Sequence, residues 1–169
     1  MWIVVVAIQT KVYNNRYRNR DTTMTKIKFI EKNINEADAL KLLKESSNSF
    51  YPPLSTEVNL ISYSKKLSKY AKFIFGIEEG EAVGYIAFYL NDKEKQIYIP
   101  LICVSPKYQH MGIGTKMLSY LESLYKGQYE TVGLEVVKEN MNAYNFYVKQ
   151  GFEVNEDRGS KFLMLKNIE

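Results

Sequence analysis

The sequence contains one cysteine and one histidine in 169 residues. A lone cysteine excludes a disulfide framework within the chain, and a lone histidine excludes the usual histidine-rich metal sites. No apolar run approaches the roughly 18 residues that a membrane-spanning helix needs. Internal repeats and low-complexity tracts are lacking as well. What remains is the composition of an ordinary globular chain, with 46% apolar and 25% charged residues. The length suits one domain with a substantial core and is short for two. Aromatic residues make up 14%, more than a disordered chain carries.

The net charge is +4, and most of the excess lies before Met24, in Lys11, Arg16, Arg18 and Arg20 against Asp21. That shift in composition predicts a boundary. Residues 1–23 read as an extra N-terminal segment upstream of a start at Met24. The alternative is a short added strand over residues 2–8 followed by a basic arm. Residues 2–8 lack the basic n-region and small-residue cleavage site of a signal peptide, and they are too few to span a membrane. Three arginines with Tyr13 and Tyr17 give little support to nucleic-acid binding, because the rest of the chain is nearly neutral.

Alternation over residues 27–31 predicts a first strand. Asn35, with Asp38 three residues on, has the form of a helix N-cap, and Leu40 and Leu43 give that helix an apolar stripe. A second helix is predicted over residues 56–70, with Val58, Ile61 and Leu67 on one side. Strands are predicted over 72–77, 83–90 and 96–104, the last nearly all apolar and therefore central. A helix over 112–125, a strand over 131–137, a helix over 140–150 and closing strands over 152–155 and 161–165 complete the order. The fold class is α/β of the α+β type: one mixed sheet of about seven strands flanked by four helices.

The informative stretch runs Val104-Ser105-Pro106-Lys107-Tyr108-Gln109-His110-Met111-Gly112-Ile113-Gly114-Thr115. A central strand ends, a loop passes two glycines, and a helix begins. The first amides of a helix have no internal partners and its dipole adds positive potential, so this is an anion site. Gly112 and Gly114 lack a Cβ, which lets a phosphate approach the backbone. Met117 stands where a dinucleotide fingerprint has its third glycine, and Lys116 follows Thr115 rather than Gly114, which excludes a P-loop. Downstream, Asn140 falls at a helix start and Tyr147, seven residues on, lies on the same helix face.

These elements resemble the GNAT superfamily of acetyl-CoA-dependent N-acetyltransferases. Its Gln/Arg-x-x-Gly-x-Gly/Ala hallmark is matched from Gln109 to Gly114, and its Asn-x-x-Ala-x-x-Phe/Leu-Tyr-x-x-x-Gly-Phe pattern from Asn140 to Phe152. The resemblance implies a single N-acetyltransferase domain over residues 24–169 with an acyl-CoA N-acyltransferase fold. Acetyl-CoA is the implied cofactor, without a metal. It implies that the backbone of Ile102, Cys103 and Val104 hydrogen-bonds the pantetheine arm as an added strand would. The loop through Gln109, His110, Met111, Gly112, Ile113, Gly114 and Thr115 is implied to hold the pyrophosphate. Asn140 is implied to contact the cofactor arm, and Tyr147 to lie beside the thioester sulfur. Pro100 supports this reading, because a proline in a central strand suits a place where the strand bulges or parts from its neighbour.

Acetyl transfer from a thioester to an amine needs a neutral amine, a donor for the developing oxyanion and a proton for the departing thiolate. Tyr147 is the candidate proton donor, since the ordinary phenol pKa of about 10 is close to that of an alkyl thiol. A backbone N–H from residues 102–104 is the candidate carbonyl polariser. Glu135 is the candidate base; it alternates with Val132, Leu134 and Val136 and projects from the opposite face of its strand. A structural carboxylate, or a water chain in its place, is the alternative. Cys103 with His110 lacks a third group for nucleophilic catalysis and reads as a buried strand cysteine.

Candidate acceptor-binding residues are Phe50 and Tyr51, in a rigid turn with Pro52 and Pro53, together with Tyr85 and Tyr98. Aromatic walls suit a sugar ring or a small amine. The expected reaction moves an acetyl group to a primary amine of a small acceptor, such as an amino sugar or amino acid. A peptide acceptor is one alternative, and a non-catalytic acyl-CoA-binding regulatory module is another. The expected partner is a small-molecule amine in the cytoplasm, with no nucleic acid or membrane; a homodimer is compatible with this reading.

Overall fold

The computed structural model describes residues 27–168. The segment 1–23 and the expected start at Met24 lie outside the described residues. Strand β1 (Lys28–Lys32) leads into helices α1 (Glu36–Ser46), α2 (Leu54–Glu57) and α3 (Leu60–Tyr70). A meander follows, of β2 (Lys72–Glu78), β3 (Glu81–Asn91) and β4 (Gln96–Val104). Then come α4 (Ile113–Tyr125), β5 (Thr131–Val137), α5 (Met141–Lys149), β6 (Glu153–Asp157) and β7 (Lys161–Asn167). All seven strands of the described residues form one sheet in the order β1-β2-β3-β4-β5-β7-β6. Among the described strands only β4 and β5 run parallel, and α4 is the crossover that joins them.

Local chemistry sets the helix starts. Asn35, Asn59 and Asn140 each accept the amide three residues on through the side-chain oxygen, at 2.9, 3.0 and 3.1 Å. The cap at Asn59 divides the helix expected over 56–70. Val58 is extended, so the chain forms a single turn, α2, and then restarts as α3, giving five α-helices among the described residues rather than four. The restart rotates the buried face. Tyr63, Ser64 and Leu67 point inward and Ile61 is 53% exposed, so the stripe expected through Ile61 does not form.

Strand alternation places α1 to α3 on one face of the sheet and α4 with α5 on the other. On the first face, the Tyr85 hydroxyl of β3 meets the Ser46 hydroxyl at the end of α1 at 2.8 Å. On the second, the adjacent Gly84 faces Met117 of α4, whose Cε lies 3.2 Å from where a Cβ would stand. β7 joins this face through Lys166, which pairs with Glu122 of α4 at 2.6 Å, and through Phe162, which packs on Tyr144 of α5. Leu43, Leu67, Phe73 and Tyr85 form part of the core on one side; Ile74, Ile86, Met117 and Leu121 lie in that on the other. Burying each such side chain contributes about 1.5–3 kcal/mol. No described helix is long and apolar enough to cross a membrane.

One irregularity positions the site. β4 and β5 pair only from Gln96 opposite Thr131 to Tyr98 opposite Gly133. At the same point the β3–β4 register shifts, so that Ile99 and Pro100 together stand opposite Phe88. This is a β-bulge, and it holds the proline, which has no N–H to give to a ladder. Beyond it β4 and β5 diverge without pairing, and a gap opens between them.

Candidate active site

One wall of the gap is backbone. The Ser105 amide donates to the Val83 carbonyl at 2.8 Å. Antiparallel alternation therefore turns Cys103 toward β3, and turns the N–H and C=O of Ile102 and Val104 toward the gap. Past Ser105 the chain is tethered. The Tyr108 amide donates to the Ser105 carbonyl at 2.7 Å, the Tyr108 hydroxyl donates to the Glu78 carboxylate, and the Gln109 side-chain amide reaches the Val104 carbonyl at 3.4 Å. His110 and Gly112 then adopt φ of 61° and 74°, in the left-handed region. Such turns aim successive amides to one side and make an anion-binding concavity. The first α-helical bond of α4 joins the Lys116 amide to the Gly112 carbonyl at 3.0 Å, so the amides of Ile113, Gly114 and Thr115 have no acceptor within the helix. A Cβ on Gly114 would stand 3.1 Å from Cζ of Phe146 in α5. The fold thus brings the open edge of β4 and residues 109–115 to one end of the gap.

Cys103 is wholly buried, and burial pushes its thiol well above the ordinary range despite hydrogen bonds with Tyr85 and Ser46. It is not activated as a nucleophile. Asn140 uses its side-chain oxygen to cap α5. Tyr147 is 0% exposed, and its hydroxyl has no hydrogen-bond partner. Burial first, and the neighbouring Cys103 second, raise its phenol well above the ordinary value. Phe146 and Phe152 hold its ring edge-on, at centroid distances of 5.3 and 5.6 Å.

The other wall is made of side chains, on the sheet face covered by α1 to α3. Glu135 is 6% exposed, and its Oε1 accepts from Nη1 of Arg158 at 2.7 Å. Arg158 lies in the β6–β7 turn and also grips Glu156 at 2.7 Å; these two carboxylates raise its pKa. Tyr98, the last β4 residue paired with β5, shares the Glu135 face. Burial raises the Tyr98 phenol; Glu135 pushes the same way and Arg158 opposes it. Tyr89 and Tyr63 complete the cluster.

Tyr63 and Arg158 escaped the sequence reading. Arg158 left one signal: it is the sole arginine beyond residue 20. Of the other acceptor candidates, Phe50 is buried in the core, and Tyr85 is buried with its hydroxyl on Ser46. Tyr51 is 50% exposed and donates to Oε2 of Glu139 at 3.0 Å, joining the α1–α2 loop to the β5–α5 turn. Among the described residues no group of three or more His, Cys, Asp or Glu could hold a metal ion.

The profile of the acetyltransferase (GNAT) family matches residues 38–152. N-alpha-acetyltransferase 50 of Danio rerio is 35% identical over 71 residues, which is 40% of this chain and 42% of that protein. The Drosophila melanogaster protein named "Probable N-acetyltransferase san" is 30% identical over 116 residues, 60% of each chain. The chain therefore spans about half the length of these relatives. The crystal structure of PaiA N-acetyltransferase from Thermoplasma acidophilum, in complex with coenzyme A, superposes with a TM-score of 0.66 at 19% identity. That superposition covers 83% of this chain and 99% of the other, and it establishes a shared fold. With the family's profile covering most of the described residues, and a parallel strand pair that parts at a bulge beside a glycine-capped helix, the chain belongs to the acetyltransferase (GNAT) family.

Proposed function

We propose that this GNAT protein binds acetyl-CoA in the gap between β4 and β5 and transfers the acetyl group directly to a primary amine of a small acceptor. An amino sugar, an amino acid or a similar metabolite fits that description. The observation that carries the reading is the open edge of β4: Ile102 and Val104 turn their N–H and C=O groups toward the side where β5 no longer pairs. These residues suit coenzyme A. An amide-bearing arm matches an unpaired strand edge, and a diphosphate matches the amides between His110 and Thr115. Gly114 lets the head of α4 pack closely on Phe146 and Val104, where a Cβ would crowd the Phe146 ring.

When bound, acetyl-CoA supplies an acetyl group already activated as a thioester. The amides of Ile102 and Val104 offer fixed donors to an oxyanion in the gap. Tyr147 keeps its proton at Oη at working pH, because burial raises its pKa. The same rise makes full release of that proton harder than from an ordinary phenol. Tyr147 serves as a hydrogen-bond donor to the leaving sulfur. Glu135, oriented by Arg158, presents an anionic acceptor for the amine's proton, directly or through water.

A small acceptor is supported by the enclosure. Glu135 and the hydroxyls of Tyr63 and Tyr98 are buried, and the Tyr51–Glu139 hydrogen bond links the loops beside them. Such a site admits an amine-bearing group more readily than an extended chain. A second reading, transfer to a polypeptide α-amine, is supported by the name of the Danio rerio relative. Thiol release measured with amino sugars, amino acids, polyamines and peptides decides between them. Turnover of a small amine is expected. Turnover of peptides alone would establish the second reading, and cofactor binding with no turnover at all would make the protein a non-catalytic acyl-CoA-binding module.

A further inference from the structure

We propose that Tyr63 is an acceptor-binding residue whose hydroxyl engages a hydroxyl of the acceptor, so that the acceptor is a polyhydroxylated amine, an amino sugar, rather than a plain amine. This rests on the acetyl transfer proposed above and narrows its substrate class. Tyr63 is 9% exposed, and its hydroxyl oxygen is buried without a hydrogen-bond partner among the described residues. A buried polar group left unsatisfied is costly, and native chains seldom tolerate one without a reason. The missing partner therefore comes from outside the described residues, and the proposed acceptor supplies it.

Its position says what that partner adjoins. Tyr63 projects from α3 onto the sheet face that carries Tyr85, Tyr89, Tyr98 and Glu135. Tyr89 and Tyr98 lie near enough to add to the effect of burial on its phenol, and Tyr63 acts in the same way on Tyr85. Tyr98 marks the point where β4 leaves β5, and it lies within electrostatic reach of Glu135. The orphan hydroxyl thus stands in the same cluster as the carboxylate proposed to receive the amine's proton. A phenol both donates and accepts, as a sugar hydroxyl does. An acceptor with a hydroxyl beside its amine satisfies Tyr63, and a plain alkylamine leaves it unpaired, which is the stronger form of discrimination a site can build.

The test uses the full chain and its Tyr63→Phe variant, with a panel of amino hexoses and cyclohexylamine as probes of thiol release. The wild type is expected to prefer the best amino hexose. In Tyr63→Phe, kcat/KM for that sugar is expected to fall about 10-fold while cyclohexylamine changes by less than about twofold. Acetyl-CoA affinity, read by calorimetry, should be unchanged. The melting temperature should not fall, because the hydroxyl removed had no partner. Equal losses on both probes with a lower melting temperature would assign Tyr63 a structural role and overturn the proposal, as would no change on either probe. A wild type that acetylates cyclohexylamine as well as any sugar overturns it while leaving acetyl transfer standing. A wild type that releases no thiol with any amine overturns both.

Discussion

The two walls of the β4–β5 gap are built from different material. On one wall the chain presents backbone: the N–H and C=O groups of Ile102 and Val104, and the free amides at the head of α4. On the other it presents phenols and charges, from Tyr63, Tyr98, Glu135 and Arg158. A backbone wall is set by strand register and by glycine, so it tolerates changes of side-chain chemistry and resists an added Cβ. A side-chain wall behaves the other way round. The first suits a ligand common to every turnover, and the second can be tuned to one acceptor.

The sharpest test of this division falls where the walls meet. Tyr147→Phe is expected to lower kcat about 100-fold while acetyl-CoA affinity, measured by calorimetry, stays within about threefold. A loss of affinity to match the loss of turnover would place Tyr147 in the binding wall instead. Next in size, Gly114→Ala puts a Cβ 3.1 Å from Phe146 and 3.8 Å from Val104, which must shift the head of α4 and its free amides. Acetyl-CoA affinity is expected to weaken about 10-fold, worth about 1.4 kcal/mol, with the acceptor KM nearly unchanged.

Arg158→Ala probes the opposite wall by leaving the buried Glu135 without its cation. Acceptor kcat/KM is expected to fall several-fold and acetyl-CoA affinity to hold. Urea unfolding should register a loss of about 1 kcal/mol, since an exposed guanidinium contributes less than a buried one. The smallest effect at neutral pH is the one that grows with alkalinity. The phenols of Tyr63, Tyr85 and Tyr147 lie well above their ordinary value in the fold. The unfolded chain releases these protons near pH 10, where the native state keeps them. Their contribution is therefore complete below about pH 10 and is lost as pH rises further. Urea midpoints should be flat from about pH 7 to 9 and fall above about pH 10.

The two walls also differ in how far the sequence reveals them. The backbone wall is contiguous: Gln109 to Thr115 and Asn140 to Phe152 are local patterns, and Pro100 flagged the bulge that parts the strands. The side-chain wall draws on α3, β3, β4, β5 and the β6–β7 turn, and only tertiary pairing brings these together. Tyr63 was hidden further by the extended Val58 and the cap at Asn59, which reset the helix and turned a different stripe inward. The turn at Phe50 and Tyr51 was legible as a rigid element, but not the division of labour within it: Phe50 enters the core and Tyr51 reaches across to Glu139. Burial is equally invisible along a chain, and it is burial that raises the Tyr147 phenol.

Calorimetric titration of the wild-type chain with acetyl-CoA bears most directly on the unpaired edge of β4. One molecule per chain is expected to bind with a dissociation constant below about 1 mM, the upper end of ordinary enzyme substrate affinities, and Gly114→Ala should shift that curve about 10-fold. No heat at millimolar acetyl-CoA, or binding that ignores the added methyl at Gly114, would contradict the assignment of that gap to the cofactor.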